Sequence, residues 1–107
     1  MLITRMLEAA AWAEFQRSGL YAPPALALEG SIWCTTPETV ANVATMLFRG
    51  KDDLILLLVD PAGLQIEWRP YEGALYPHLL EPLPLGAVVR AIPWAPEADG
   101  SFRYPQA

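Results

Sequence analysis

The chain has 107 residues, 53% of them hydrophobic, and its twelve acidic against seven basic side chains leave a formal charge of −5. That length suits one domain, domains of ~100–150 residues being the commonest size. The apolar fraction excludes a disordered chain, which lacks the surface to offset its ordering entropy, and the absence of any Lys/Arg cluster excludes a phosphate-tracking stripe for bulk nucleic-acid binding.

Residues 2–7 alternate loosely and predict a first strand. Arg5 sits inside this apolar segment, where a buried guanidinium is costly unless paired, so it either points outward or serves a pocket. The N-terminus is broken by charge and shows no apolar stretch ahead of a small-residue cleavage site, so a cytoplasmic location is expected. Ala9 to Arg17 predicts a helix with Ala11, Trp12 and Phe15 on one face, stopping at Gly19. Leu20 to Gly30 contains Pro23-Pro24 and no period; it reads as an irregular connection, long enough to be functional or poorly ordered.

A strand is expected over 31–34, followed by a helix capped by Thr35 or Thr36, with Pro37 in its first turn and capping-box spacing in Thr35-Thr36-Pro37-Glu38. Val40, Val43, Ala44 and Leu47 recur at helical spacing and predict one apolar stripe against a sheet. Gly50 supplies the left-handed stop. Leu54 to Val59 is apolar on both faces, which predicts a central covered strand; six residues are far short of the ~20 a membrane-spanning helix needs. Asp60-Pro61-Ala62-Gly63 turns the chain, and Leu64 to Arg69 alternates as a hairpin partner with Ile66 and Trp68 on one side. Ala74 to Leu80 is interrupted by Pro77 and reads as an edge strand or irregular stretch. Pro82 and Pro84 frame a turn, Ala87 to Trp94 is the last strand, and the polar tail from Pro96 is expected to be mobile at its end.

Two main helices and five or six short strands, not strictly alternating, predict an α+β domain spanning 1–107 with a mixed, mostly antiparallel sheet. No Gly-x-Gly-x-x-Gly and no phosphate loop signals a backbone phosphate cradle. His78 is the only histidine, the side chain ordinarily poised for proton transfer near neutral pH; it either completes a hydrogen-bond network or acts on a ligand. Cys34, the only cysteine, reads as a small buried hydrophobe. One cysteine and one histidine are too few for structural zinc, and Asp52-Asp53 reads as a solvated turn, so no metal is expected. Trp12, Trp33, Trp68 and Trp94 are core or pocket walls.

Across most of its length the chain resembles a small bacterial family known as a domain of unknown function, number 952. The phrases that carry this are Ala11-Trp12, Tyr21-Ala22-Pro23-Pro24, Leu28-Glu29-Gly30, Ile32-Trp33-Cys34-Thr35, Phe48-Arg49-Gly50-Lys51-Asp52-Asp53-Leu54, Val59-Asp60-Pro61-Ala62-Gly63-Leu64, Tyr76-Pro77-His78 and Pro82-Leu83-Pro84-Leu85. The resemblance implies an ADP-ribosyltransferase-like fold and brings no activity with it. It also implies polar positions that this chain has changed: histidine is usual at Arg5 and Trp33, serine at Thr35, an acid at Ala74 and tyrosine at Leu80, while His78 is kept. Transferases of the related fold bind NAD with an arginine or histidine on the first strand, hydroxyls on a later strand and a glutamate. Arg5 and Thr35 imitate the first two; Glu72 or Glu81 could substitute for the third although neither falls on the matching position, and losing such a charge partner commonly costs ~3–4 kcal/mol of transition-state stabilisation.

These readings predict a small-molecule or nucleotide-binding domain, a vestigial relative of such transferases, with Arg5, Trp33, Thr35 and His78 converging on one pocket. The alternatives are an active NAD-using transferase or nucleotide-cleaving enzyme, with NAD as its possible cofactor, and an interaction module that uses residues 20–30 and exposed aromatics without any small ligand.

Overall fold

The strand Leu54–Val59 is apolar at every position, and the computed structural model, which describes residues 1–105, shows both of its faces at work. Leu57 and Val59 join a buried cluster with Ile3, Leu7, Phe15, Ile32 and Leu79. Leu54 and Leu56 join a second one with Val40, Ala44, Trp94 and Phe102. Because side chains alternate across a strand, one segment supplies two cores.

In chain order the elements are β1 (Ile3–Glu8), α1 (Ala9–Ser18), β2 (Leu20–Tyr21), α2 (Pro24–Glu29), β3 (Ile32–Trp33), α3 (Val40–Phe48), β4 (Leu54–Val59), β5 (Ile66–Tyr71), β6 (Ala74–Leu79), β7 (Leu83–Pro84) and β8 (Val88–Trp94). They form an α+β structure in which every strand pair is antiparallel. The expected single mixed sheet is instead divided into two three-stranded sheets, β1-β4-β8 and β3-β6-β5, and the short pair β2-β7. One bridge joins the two larger sheets: Thr4 and Thr35 exchange N–H···O bonds of 2.8 Å in both directions. The Cys34 N–H donates to the Pro77 carbonyl one residue earlier, so the chain changes sheets between Cys34 and Thr35.

Several local expectations change. Residues 20–30 are not irregular: Tyr21 pairs with Leu83, and a short helix begins with Pro24 at its first turn and ends at Gly30, whose φ of +79° suits a glycine. Among the described residues there are therefore three α-helices rather than two main ones. Leu64 to Arg69 does not pair with β4, because β1 and β8 occupy both edges of that strand; β5 pairs with β6. Pro77 lies in the centre of its sheet, not at an edge. In an antiparallel pair a residue's N–H and C=O face the same neighbour, so the nitrogen of Pro77, like its carbonyl, faces Cys34 at the point where β3 ends. The missing donor costs one bond at a place where the ladder is already finishing.

Thr35 caps nothing, and α3 starts later, after a turn in which Thr36 accepts backbone N–H bonds from Thr39 and Val40. The tail is pinned as far as it is described. Phe102 is buried against Trp94 with ring centroids 4.9 Å apart, its N–H donates to the Thr45 hydroxyl, and Trp94 Nε1 donates to the Arg103 carbonyl. The mobile end expected of the tail falls in part on residues 106–107, outside the described residues. Among the described residues no helix is long and apolar enough to cross a membrane.

Candidate functional site

Antiparallel register decides which side chains of the β3-β6-β5 sheet share a face. Trp33 stands opposite His78, Arg69 opposite Tyr76, and Tyr71 opposite Ala74; directly opposed residues lie on the same side, and alternation along β6 puts Ala74, Tyr76 and His78 together. This polar and aromatic face forms one wall of a cleft of about 660 Å³. Pro23, Ala25 and Glu29 from α2 with the residue before it, and Val43, Met46 and Leu47 from α3, supply the opposite side. Leu47, expected on the core stripe of its helix, is 55% exposed at the rim.

Arg5 reaches the cleft from β1. Its Nη1 donates to the Trp33 carbonyl at 2.7 Å and its Nη2 to the Tyr21 hydroxyl at 3.0 Å, with the guanidinium carbon 5.6 Å from the centre of the Tyr21 ring. The β2-β7 pair and Phe15, 5.6 Å away centre to centre, hold Tyr21 in place. The Nε atom is buried without a partner. None of the ion pairs among the described residues includes Arg5. The guanidinium is thus oriented by two neutral acceptors and keeps its charge uncompensated.

Trp33, Tyr71 and Tyr76 form an aromatic triangle, with centroids 5.4–6.2 Å apart and interplanar angles of 61–69°. His78 Nδ1 lies 3.1 Å from the Tyr76 carbonyl. A carbonyl oxygen only accepts, so Nδ1 carries the proton of the neutral ring and Nε2 is left as an acceptor.

Of the four residues picked out from the sequence, Arg5, Trp33 and His78 line this cleft and Thr35 does not. The Thr35 hydroxyl is 2.6 Å from that of Thr4, and both residues are fully buried behind the wall. Glu72 lines the cleft, whereas Glu81 is engaged elsewhere, accepting the Gln65 N–H at 2.6 Å. Cys34 is a buried thiol; desolvation raises its pKa to about 11 against the smaller opposing pull of the Arg5 charge, which leaves it inert as a nucleophile at neutral pH. Among the described residues no three His, Cys, Asp or Glu side chains gather as metal ligands.

Sequence reasoning missed Tyr21, Arg69 and Tyr71. A signal existed for the last two: Glu72-Gly73 is a two-residue connection of the hairpin type, and reading it as such sets Tyr71 against Ala74 and Arg69 against Tyr76.

A family model described as "Protein of unknown function (DUF952)" matches residues 6–91, a span that begins just after Arg5 and includes the rest of the cleft. No curated protein matches the chain. Two solved structures of protein CC0527 from Caulobacter crescentus are similar to it throughout. The crystal structure has 30% sequence identity and a TM-score of 0.86 over 96% of this chain and 94% of that one. The solution NMR structure has 32% identity and a TM-score of 0.83 over 95% and 91%.

Proposed function

The chain belongs to the DUF952 family of proteins of unknown function, and from that premise, which carries no activity, we propose that it is a small-ligand-binding domain whose cleft receives an anionic group on Arg5. The observation that carries this is the guanidinium itself, held at 2.7 Å and 3.0 Å by uncharged acceptors with no carboxylate beside it. A half-buried charge left without a counter-charge is costly, and an incoming carboxylate or phosphate would recover that cost. The aromatic wall and the His78 ring add stacking surface and a hydrogen-bond acceptor, the usual composition of a small-molecule site. The fold's kinship with ADP-ribosyltransferase-like proteins belongs to this proposal and rests on the sequence resemblance.

Melting with a large excess of NAD, AMP or inorganic phosphate tests the reading. A ligand at ~10 times its dissociation constant stabilises by about 1.4 kcal/mol and raises the midpoint by roughly 6–11 °C in a domain of this size. A shift with any of the three that Arg5→Gln abolishes supports anion binding at Arg5. The same shift in Arg5→Gln overturns it.

One observation favours a second reading. Glu72 stands on the cleft two residues from Ala74, where the family resemblance places an acid, and could supply the negative charge that NAD cleavage needs beside the ribosyl cation formed as nicotinamide departs. Nicotinamide release from NAD, lost in Glu72→Gln, would support the transferase. No release after hours at high protein concentration would remove it.

A further inference from the structure

The cleft contains charges of both signs that do not meet. Arg5 has no acidic partner, Arg69 is paired with Glu67, and Glu29 and Glu72, which line the same cleft, pair with no basic side chain among the described residues. Opposite charges held apart in one concave site fit a ligand that itself carries both.

The cationic end of such a ligand has a place prepared for it. The Trp33, Tyr71 and Tyr76 rings meet edge to face rather than in parallel stacks, with Tyr76 buried behind the other two, so no parallel neighbour covers the whole of a negative π face, the part of a ring that attracts cations within about 6 Å. Tyr71 remains 56% exposed. Glu72 follows it directly and is the only non-glycine residue with a left-handed backbone among those described, at φ +50°. Both central positions of this two-residue turn have positive φ, and Asn or Asp is the usual first residue there. A longer acid therefore stands at a conformationally costly position beside three aromatic rings.

We infer that the triangle of Trp33, Tyr71 and Tyr76, with Glu72 at its edge, seats a methylated ammonium group, so that the ligand is a small zwitterion whose anionic end lies on Arg5. This rests on the anion-binding reading of Arg5 and adds the chemistry of the other end. Trp33 connects the two ends: its carbonyl orients the guanidinium and its ring belongs to the triangle. Methylation matters because a bare ammonium brings three N–H donors and strong hydration, which aromatic faces do not replace. A methylated one is bulky, weakly hydrated and needs no acceptor. The cleft volume lies within the roughly 300–1,000 Å³ of small-molecule sites.

The test is titration calorimetry on the whole chain with glycine betaine, its uncharged-headed isostere 3,3-dimethylbutanoate, and tetramethylammonium. The zwitterion is expected to bind roughly ten- to a hundredfold tighter than the isostere, the span of one strong desolvated cation–π contact with a carboxylate beside it. Glu72→Gln should shrink that preference without weakening the isostere, Tyr71→Ala should weaken the zwitterion more than the isostere, which loses only apolar contact with the ring, and Tyr71→Phe, which keeps the ring face, should retain the preference. Isostere and zwitterion binding equally, both lost in Arg5→Gln, would overturn this inference while sparing the anion reading. Tetramethylammonium binding as tightly as betaine, unaffected by Arg5→Gln, would overturn the anionic end and with it the zwitterion. No binding of any of the three would overturn the inference outright, while the NAD, AMP and phosphate melts would still judge Arg5 separately.

Discussion

The Thr4 and Thr35 hydroxyls lie 2.6 Å apart, and the Thr35 hydroxyl is also 3.2 Å from the Thr4 carbonyl, so both hydroxyl protons find acceptors within the bridge that joins the two larger sheets. The pair is a structural tie with no hydroxyl left over for the cleft. Thr35→Val strands the buried Thr4 hydroxyl and should cost about 1–3 kcal/mol. The melting midpoint should fall by roughly 4–8 °C for each kcal/mol, with ligand affinity unchanged. Thr4→Val/Thr35→Val should be less destabilised than the sum of the single variants, because no partner is left wanting. Strict additivity in that double-mutant cycle would show that the hydroxyls do not act as a pair.

Cys34 makes stability fall at alkaline pH. Its folded pKa, raised by burial to about 11, lies above the ordinary thiol value of 9.0, so above pH 9 the unfolded chain gives up a proton that the folded one keeps. Its contribution is whole below pH 9 and is lost progressively between pH 9 and 11, by roughly 2–3 kcal/mol in all. Urea titrations of wild type and Cys34→Ala across that window should converge as the pH rises. A constant difference would mean that the thiol is not shielded.

Glu72 should exchange stability for binding. Glu72→Asn places a residue suited to φ +50° in the hairpin turn and should stabilise by about 0.5–1 kcal/mol, raising the midpoint by a few degrees. The shorter side chain should at the same time weaken zwitterion binding. A variant that melts no higher than wild type would show that the turn stores no strain.

The tail should behave as part of the core. Phe102→Ala removes a ring packed on Trp94 and should cost about 3–4 kcal/mol. Gly100→Ala should also destabilise, since φ is +87° and an added Cβ would lie 2.9 Å from Arg49 Cγ and 3.3 Å from the Gly50 nitrogen. Thermal melts check both, and a tail free of the body would leave each variant indistinguishable from wild type.

The α+β class, the doubly covered strand β4, the stop of α3 before Gly50 and the buried thiol of Cys34 were all legible in the sequence, because each depends on local alternation or on a residue's own backbone and solvation preferences. Three of the four singled-out residues line the cleft: Arg5 stood out as a charge in an apolar segment, His78 as the only histidine, and Trp33 through the family resemblance. Partner choice was not legible. Whether β5 pairs with β4 or β6 depends on which strand edges are already taken, and only the folded chain shows that β1 and β8 claim both sides of β4. The same holds for the two threonines. A hydroxyl in a capping-box phrase is ambiguous until its neighbour is known, and that neighbour was Thr4, thirty-one residues away. The cleft belongs wholly to tertiary structure: Arg5, Tyr21, Trp33, Tyr71 and Tyr76 come from five strands, and their common site exists only because strand register and the sheet change after Cys34 set them side by side.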